Sequence, residues 1–168
     1  MYDVIIIGGG PAGLTAGMYA CRSGMKTVLF EAMFPGGQLA KATSLENVPG
    51  FNEGISGPDF AMQLEQQAIR FGLDIQYDGV NEIDVASDVK KVVTSTGNTV
   101  ESKTLIICSG LSQGKLMVDG EDRLTGRGVS TCATCDGALF KGRVTVVVGA
   151  GNTAVNDVLY LAPLCSKV

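Results

Sequence analysis

The apolar positions of this chain fall into short continuous runs, several of them closed by glycine. Val4–Ile7 is β-branched throughout, the composition of a strand buried on both faces. Leu14–Ser23 holds no helix breaker except Gly17, and Gly24 follows as a C-cap, which predicts a helix. Thr27–Phe30 reads as a second buried strand and ends on Glu31. Pro58–Phe71 predicts another helix: Pro58 suits the first position, Phe60, Leu64, Ala68 and Phe71 make an apolar stripe, and Gly72 ends it. Leu73, Ile75 and Tyr77 alternate as a strand. Val80–Val85, Val89–Thr96 and Thr99–Cys108 then predict a small antiparallel excursion, with turns at Ser87-Asp88 and Gly97-Asn98. Its last segment, from Thr104 to Cys108, reads as buried and stops at Gly110.

From Gln113 to Arg127 the composition turns polar and glycine-rich, with a hinge expected near Leu111–Lys115. The opening theme then returns. Val144–Val148 reads as a buried strand, and Thr153–Leu161 as a helix that Pro163 interrupts. The expected class is α/β: a Rossmann-like three-layer unit over residues 1–112, then the start of a second Rossmann-like unit over 113–168. A lone βα unit has no sheet to bury its faces against, so the second portion is not expected to be self-sufficient.

Glycine spacing gives the first two runs a chemical purpose. Gly8, Gly10 and Gly13 follow the first strand as GxGxxG. The first allows the tight turn, the second lets backbone approach a pyrophosphate, and the third lets helix pack on strand. The helix N-terminus then offers free N–H groups to phosphate. Glu31 sits where a carboxylate accepts hydrogen bonds from a ribose diol. It would repel a 2′-phosphate, so this site is expected to hold FAD or NAD. Gly149-Ala-Gly-Asn-Thr-Ala154 repeats the fingerprint as GxGxxA. Gly36-Gly37-Gln38 offers free backbone donors and an amide. It could wrap a cofactor or be a plain surface connection.

Composition narrows the chemistry. The chain of 168 residues is 45% hydrophobic and 18% charged, enough for one ordinary domain and short for two. Its net charge of −4 favours neither nucleic acid nor an anionic membrane. No apolar run nears the roughly 20 residues of a membrane span. The N-terminus enters a strand at once, which leaves no room for a signal peptide and makes the cytoplasm the expected location. Histidine is absent, so proton transfer falls to Asp, Glu, Tyr, Lys, Cys or water.

The five cysteines are Cys21, Cys108, Cys132, Cys135 and Cys165. An odd number argues against a disulfide framework. Cys21 and Cys108 read as core residues, and Cys165 gives no signal. Cys132-Ala-Thr-Cys135 is a lone CxxC with no second pair or histidine to complete a zinc site, so no metal is expected. A redox dithiol is the favoured reading over an inert pair. Asp136 follows directly and is the natural proton donor or acceptor for a leaving thiolate, with a helix N-cap as the plainer role.

With both fingerprints and Cys132-Ala-Thr-Cys-Asp-Gly137 in view, the chain resembles the low-molecular-weight thioredoxin reductases, in their N-terminal half. The resemblance runs from Tyr2 to Val168. It implies FAD on Gly8, Gly10, Pro11, Ala12 and Gly13, with Glu31 on the adenosine ribose. Gly37, Gln38, Asn47 and Gly110 match segments that lie against FAD. Gly149, Gly151, Asn152, Thr153 and Ala154 match the opening of an NADPH domain. Cys132 and Cys135 match the redox-active pair, and Asp136 its acid. The implied activity passes electrons from NADPH through FAD to the pair and on to thioredoxin or a thioredoxin-like protein, in a protein that is a homodimer when full length.

The resemblance also implies losses. The family's basic segment for the 2′-phosphate and its C-terminal Gly-Asp motif have no counterpart here, and its Ala-Thr-Gly is Cys108-Ser-Gly110 in this chain. These residues alone are therefore expected to bind FAD weakly, if at all, and to show no NADPH-dependent turnover. A dithiol oxidase, a ferredoxin-dependent reductase or a non-catalytic flavin-binding remnant are the alternatives.

Overall fold

A computed structural model of the chain describes residues 1–112 and 114–168. Gln113, which falls in the expected hinge, lies outside the described residues. The chain divides into two compact units, Met1–Ser112 and Gln113–Val168. Among the described residues, no helix is long and apolar enough to cross a membrane.

The first unit is built on a six-stranded sheet. Its strands are β1 (Tyr2–Ile7), β2 (Thr27–Phe30), β3 (Asp74–Gln76), β4 (Val80–Asp84), β5 (Lys90–Thr94) and β6 (Thr99–Ile107), in the order β3-β2-β1-β6-β5-β4. The first four in that order run parallel, with Ile5 beside Val28 on one side and Leu105 on the other. β6 joins the two halves of the sheet. Its first residues pair antiparallel with β5, and from Ser102 onward it runs parallel to β1. Ser102 takes part in both ladders and is fully buried, with its hydroxyl donated to the Thr104 carbonyl.

Alternation along β1 sorts the core into two faces. Val4 and Ile6 point to one side, with Leu29, Leu73, Leu14 of α1 (Pro11–Arg22) and Ala68 of α2 (Gly57–Arg70). Ile5 points to the other, with Val28, Phe30 and Val92 of β5. Helices thus cover one face of the parallel strands, and on the other Val92, with Val80 and Val100 beside it, packs with Ile5, Val28 and Phe30. Full burial of a side chain such as Ile5, Ile6 or Leu29 is worth about 1.5–3 kcal/mol. Cys21 and Cys108 pack against the helix-side core, and burial pushes the Cys21 thiol pKa up.

Sequence punctuation marks α2 more fully than its proline alone. Ser56 is the N-cap and accepts from the Asp59 N–H at 3.2 Å, while its hydroxyl donates to the Asp59 carboxylate at 2.6 Å. The Ser-x-x-Asp spacing is a capping-box variant that satisfies a free donor of the first turn.

Two sequence expectations need correction. The end of β6 is only partly buried: Ile107 is 60% exposed. Beyond Ser102, β6 pairs with β1 on one edge, and Leu105 and Ile106 only border the two core clusters, which do not include Ile107. The larger correction is in the second unit. Val144–Val148 forms no strand, only a single bridge from Val144 to Lys167, and Val144, Val146 and Val148 are 68%, 83% and 64% exposed. A buried strand needs neighbours to pair with and a second layer to pack on, and among the described residues this run has one bridge and little cover. The regular elements of this unit are α3 (Glu121–Leu124), α4 (Ala133–Asp136), a 3-10 turn (Gly137–Phe140) and α5 (Asn152–Leu161), joined by irregular chain.

Candidate functional site

The first glycine turn is shaped by close backbone approach. Gly8 has φ +102, and a Cβ there would meet the Cys108 carbonyl oxygen at 2.3 Å. A Cβ on Gly13 would meet the Gly8 carbonyl oxygen at 1.9 Å, because α1 starts directly against the end of β1. Gly10 differs: no atom lies within 4 Å of its would-be Cβ. That open side faces a helix start with Pro11 in the first turn and no side-chain cap. Free N–H groups, the positive end of the helix dipole and clear space beside Gly10 form a cradle that fits a pyrophosphate.

Glu31 leaves β2 at the lip of this cradle. Its Oε2 accepts from the Gly9 N–H at 2.7 Å and its Oε1 from the Met33 N–H at 3.0 Å. Both oxygens are therefore held in place by backbone, half-buried, on the turn where a ribose would lie. Gly9 carries no side chain for a reason: a Cβ would press on Glu31 at 3.1 Å.

The loop after Glu31 folds back onto the glycine turn. The buried Gly36 donates its N–H to the Gly9 carbonyl at 2.7 Å. Gly37, at φ +56, starts a 3-10 turn (Gly37–Lys41) beside Gly10, and the Gln38 amide donates to the Leu111 carbonyl at 3.3 Å, one residue past Gly110. Gly36–Gln38 is thus a wall of the cradle. The Gly36–Gly9 hydrogen bond, across 27 residues, brings this loop beside the turn. Asn47 lies apart, in an exposed excursion from Glu46 to Asn52 closed by a bridge between Leu45 and Ile55.

In the second unit, Cys132 and Cys135 form a disulfide, with Cα atoms 5.3 Å apart across one turn of α4. Cys132 caps the turn, and its carbonyl accepts the Asp136 N–H at 3.1 Å. Cys135 is exposed and Cys132 half-buried. Asp136 stands at the N-cap of the 3-10 turn (Gly137–Phe140), but its carboxylate makes no cap hydrogen bond there. It accepts instead from the Ser130 hydroxyl at 2.6 Å. Gly137, next in line, is buried against Tyr160 and Leu161 at the C-terminal end of α5.

The second fingerprint sits at the other end of that helix. Gly151 is its N-cap, again without a side-chain cap, and Asn152, Thr153 and Ala154 form the first turn. The ten-residue helix is about 15 Å long, so the disulfide turn and this fingerprint stand at opposite ends of it. The uncapped start fits a phosphate as the first one does.

Two residues at these sites escaped a reading of the sequence. Gly9, between two motif glycines, is the donor that fixes Glu31. Ser130, two residues before the first cysteine, fixes Asp136. The Ser-x-Cys spacing, in which a hydroxyl can cap the N–H two residues on, was the available signal.

This geometry agrees with comparisons to known proteins. The sequence pattern of the pyridine nucleotide-disulphide oxidoreductases matches residues 2–168. The chain belongs to the pyridine nucleotide-disulphide oxidoreductase family. Thioredoxin reductase from Helicobacter pylori is 44% identical over 169 residues, which cover 100% of this chain and 54% of that protein. The Bacillus subtilis thioredoxin reductase is also 44% identical, over 100% of this chain and 52% of its own length. The crystal structure of thioredoxin reductase from Streptococcus pyogenes superposes with a TM-score of 0.94 at 42% identity, and the match covers 100% of this chain and 54% of that one. The chain thus spans about half the length of these relatives. Family membership implies use of a flavin and a pyridine nucleotide.

Proposed function

We propose that these residues serve an NADPH- and FAD-dependent thioredoxin reductase, with the Cys132–Cys135 pair as the group that exchanges with a thioredoxin disulfide. The observation that carries this reading is the disulfide itself, closed across one turn with Asp136 tied to that turn, in a chain that opens on a nucleotide cradle. Bound FAD would supply a two-electron carrier between nicotinamide and disulfide.

The chain's own residues divide the work. Gly10 and the first turn of α1 would hold the pyrophosphate of FAD, Glu31 would accept its ribose hydroxyls, and Gly37 and Gln38 would close over it. Gly110 and Asn47 are assigned to the same cofactor by resemblance. Gly149, Gly151, Asn152, Thr153 and Ala154 would receive the phosphates of NADPH.

Cys132–Cys135 takes up two electrons and two protons and opens to a dithiol. One thiolate of the pair then attacks a sulfur of the thioredoxin disulfide, and the mixed disulfide resolves when the second thiolate displaces it. The products are a thioredoxin dithiol and the restored Cys132–Cys135 disulfide. Asp136 gives a proton to the departing thiolate and takes one back in the reverse step. A pair that must stay reducible suits the cytoplasm, and the working form is proposed to be a homodimer.

The test is NADPH-dependent reduction of a thioredoxin disulfide by the polypeptide that carries these residues, with flavin present. Cys132→Ser and Cys135→Ser are each expected to abolish it. Turnover that survives either substitution, or that proceeds without flavin, overturns the reading.

A further inference from the structure

Ser130 holds one hydroxyl between the disulfide turn and the acid. Its Oγ accepts from the Cys132 N–H at 3.1 Å and lies 2.6 Å from Asp136 Oδ2 and 3.3 Å from the Cys132 carbonyl oxygen. A hydroxyl has one proton to give. The shorter contact to a charged acceptor takes it, because a hydrogen bond to a carboxylate is about twice as strong as one between neutral groups. The proton thus goes to Asp136, and the Cys132 N–H closes the chain from the other side.

We propose that Ser130 is a positioning residue that ties the Asp136 carboxylate to the backbone of Cys132, a reading that rests on the redox role assigned to the pair above. Ser130 engages Oδ2 and leaves Oδ1, which has no hydrogen-bond partner among the described residues, to carry the proton. Without the hydroxyl, the Asp136 carboxylate has no hydrogen bond to the turn among the described residues, and the side chain is free to rotate away while its N–H stays on the Cys132 carbonyl. No bond is made or broken at Ser130. Its effect reaches sulfur through Asp136. The titratable side chain that α5 brings to this turn is Tyr160, whose ring packs beside Gly137.

Alkylation of the reduced 168-residue chain by iodoacetamide, followed against pH and read by mass spectrometry on the peptide that holds Cys132 and Cys135, separates this pair from the free Cys21, Cys108 and Cys165, since only thiolate reacts and no cofactor is needed. A nearby carboxylate disfavours thiolate, so Asp136→Asn moves the midpoint of the curve down. Ser130→Ala is expected to move it the same way by about 0.5 pH unit, a fraction of the shift of about one to three units that a close charge exerts. Ser130→Thr keeps the hydroxyl and is expected to return the curve to that of the parent. A Ser130→Ala curve that overlays the parent while Asp136→Asn shifts overturns the proposal alone. So does a Ser130→Thr curve that follows Ser130→Ala. If Asp136→Asn is silent as well, the proposal falls together with the acid role of Asp136. Reversible opening and closing of the pair, counted as free thiols in buffers of graded dithiothreitol ratio, reports separately on the redox role.

Discussion

The chain contains the same sequence theme twice, and the two copies fold differently. Both have a run of β-branched residues, a GxGxxG or GxGxxA turn and a helix without a side-chain cap. In the first unit the run becomes β1, paired on both edges and covered on both faces, with Ile5 and Ile6 fully buried. In the second, Val144–Val148 makes one bridge and stays largely exposed, while the helix after it forms in full. Helix hydrogen bonds close within a segment, so α5 needs no partner strand, only an anchor such as the buried Leu161 beside Gly137. A strand is made by its neighbours. The glycine turn and the helix are therefore local properties of the motif, and the strand is not.

The comparison breaks most visibly at the buried and exposed ends of that scale. Ile6→Ala removes a fully buried side chain between β1, α1 and α2 and is expected to destabilise the first unit by about 2–5 kcal/mol. Val146→Ala, at 83% exposure in the matching run, is expected to stay within about 0.5 kcal/mol. Urea unfolding of both variants, followed by circular dichroism, checks this. A comparable loss in the two would mean that the valine run is laddered after all.

A smaller effect tests the helix–strand contact. In the first unit, the third glycine of the motif touches backbone: a Cβ on Gly13 would stand 1.9 Å from the Gly8 carbonyl oxygen. Gly13→Ala must push α1 off β1 and is expected to lose about 1–3 kcal/mol despite the better helix propensity of alanine. The second unit already has alanine there, and a Cβ on Gly149 would stand 3.1 Å from that of Ala154. Ala154→Gly relieves no clash and gives up about 0.5–1 kcal/mol of helix propensity. Unfolding midpoints that move in the same direction and by the same amount for both would show that the two turns are packed alike.

The same division explains what could be read from residues alone. The helices and the strands of the first unit follow from runs and punctuation a few residues long. Glu31 could be placed on the turn because the βαβ spacing is fixed by the lengths of α1 and β2. The contact of Gly36 with Gly9 could not, since nothing in Pro35-Gly-Gly-Gln38 says which carbonyl its N–H will meet. Ser56 and Ser130 were legible in principle, through capping and Ser-x-Cys spacings, yet each is a common residue in a polar stretch with many such chances. Val144–Val148 misled for the opposite reason: its composition is that of a buried strand, and only the missing partners decide otherwise.

The smallest expected effect concerns how the edges of β1 are tied. Asp3, at its start, accepts from the Lys26 N–H at 2.9 Å and pairs with the Lys103 ammonium at 2.7 Å, linking β1 to the residue before β2 and to β6. The hydrogen bond from Lys103, then that from the Lys26 backbone, holds the Asp3 carboxyl below the usual carboxylate range. A lowered pKa in the folded state favours folding at pH values above the unfolded pKa, near 3.8. That contribution is lost as pH falls through the folded value. Because the pair is exposed, the effect is small and screened by salt. Asp3→Asn is therefore expected to shift the urea midpoint slightly at pH 7 and low ionic strength, and not at all at pH values below the folded pKa of Asp3. A shift that persists at that acid pH would mean that Asp3 acts through shape and backbone geometry and not through charge.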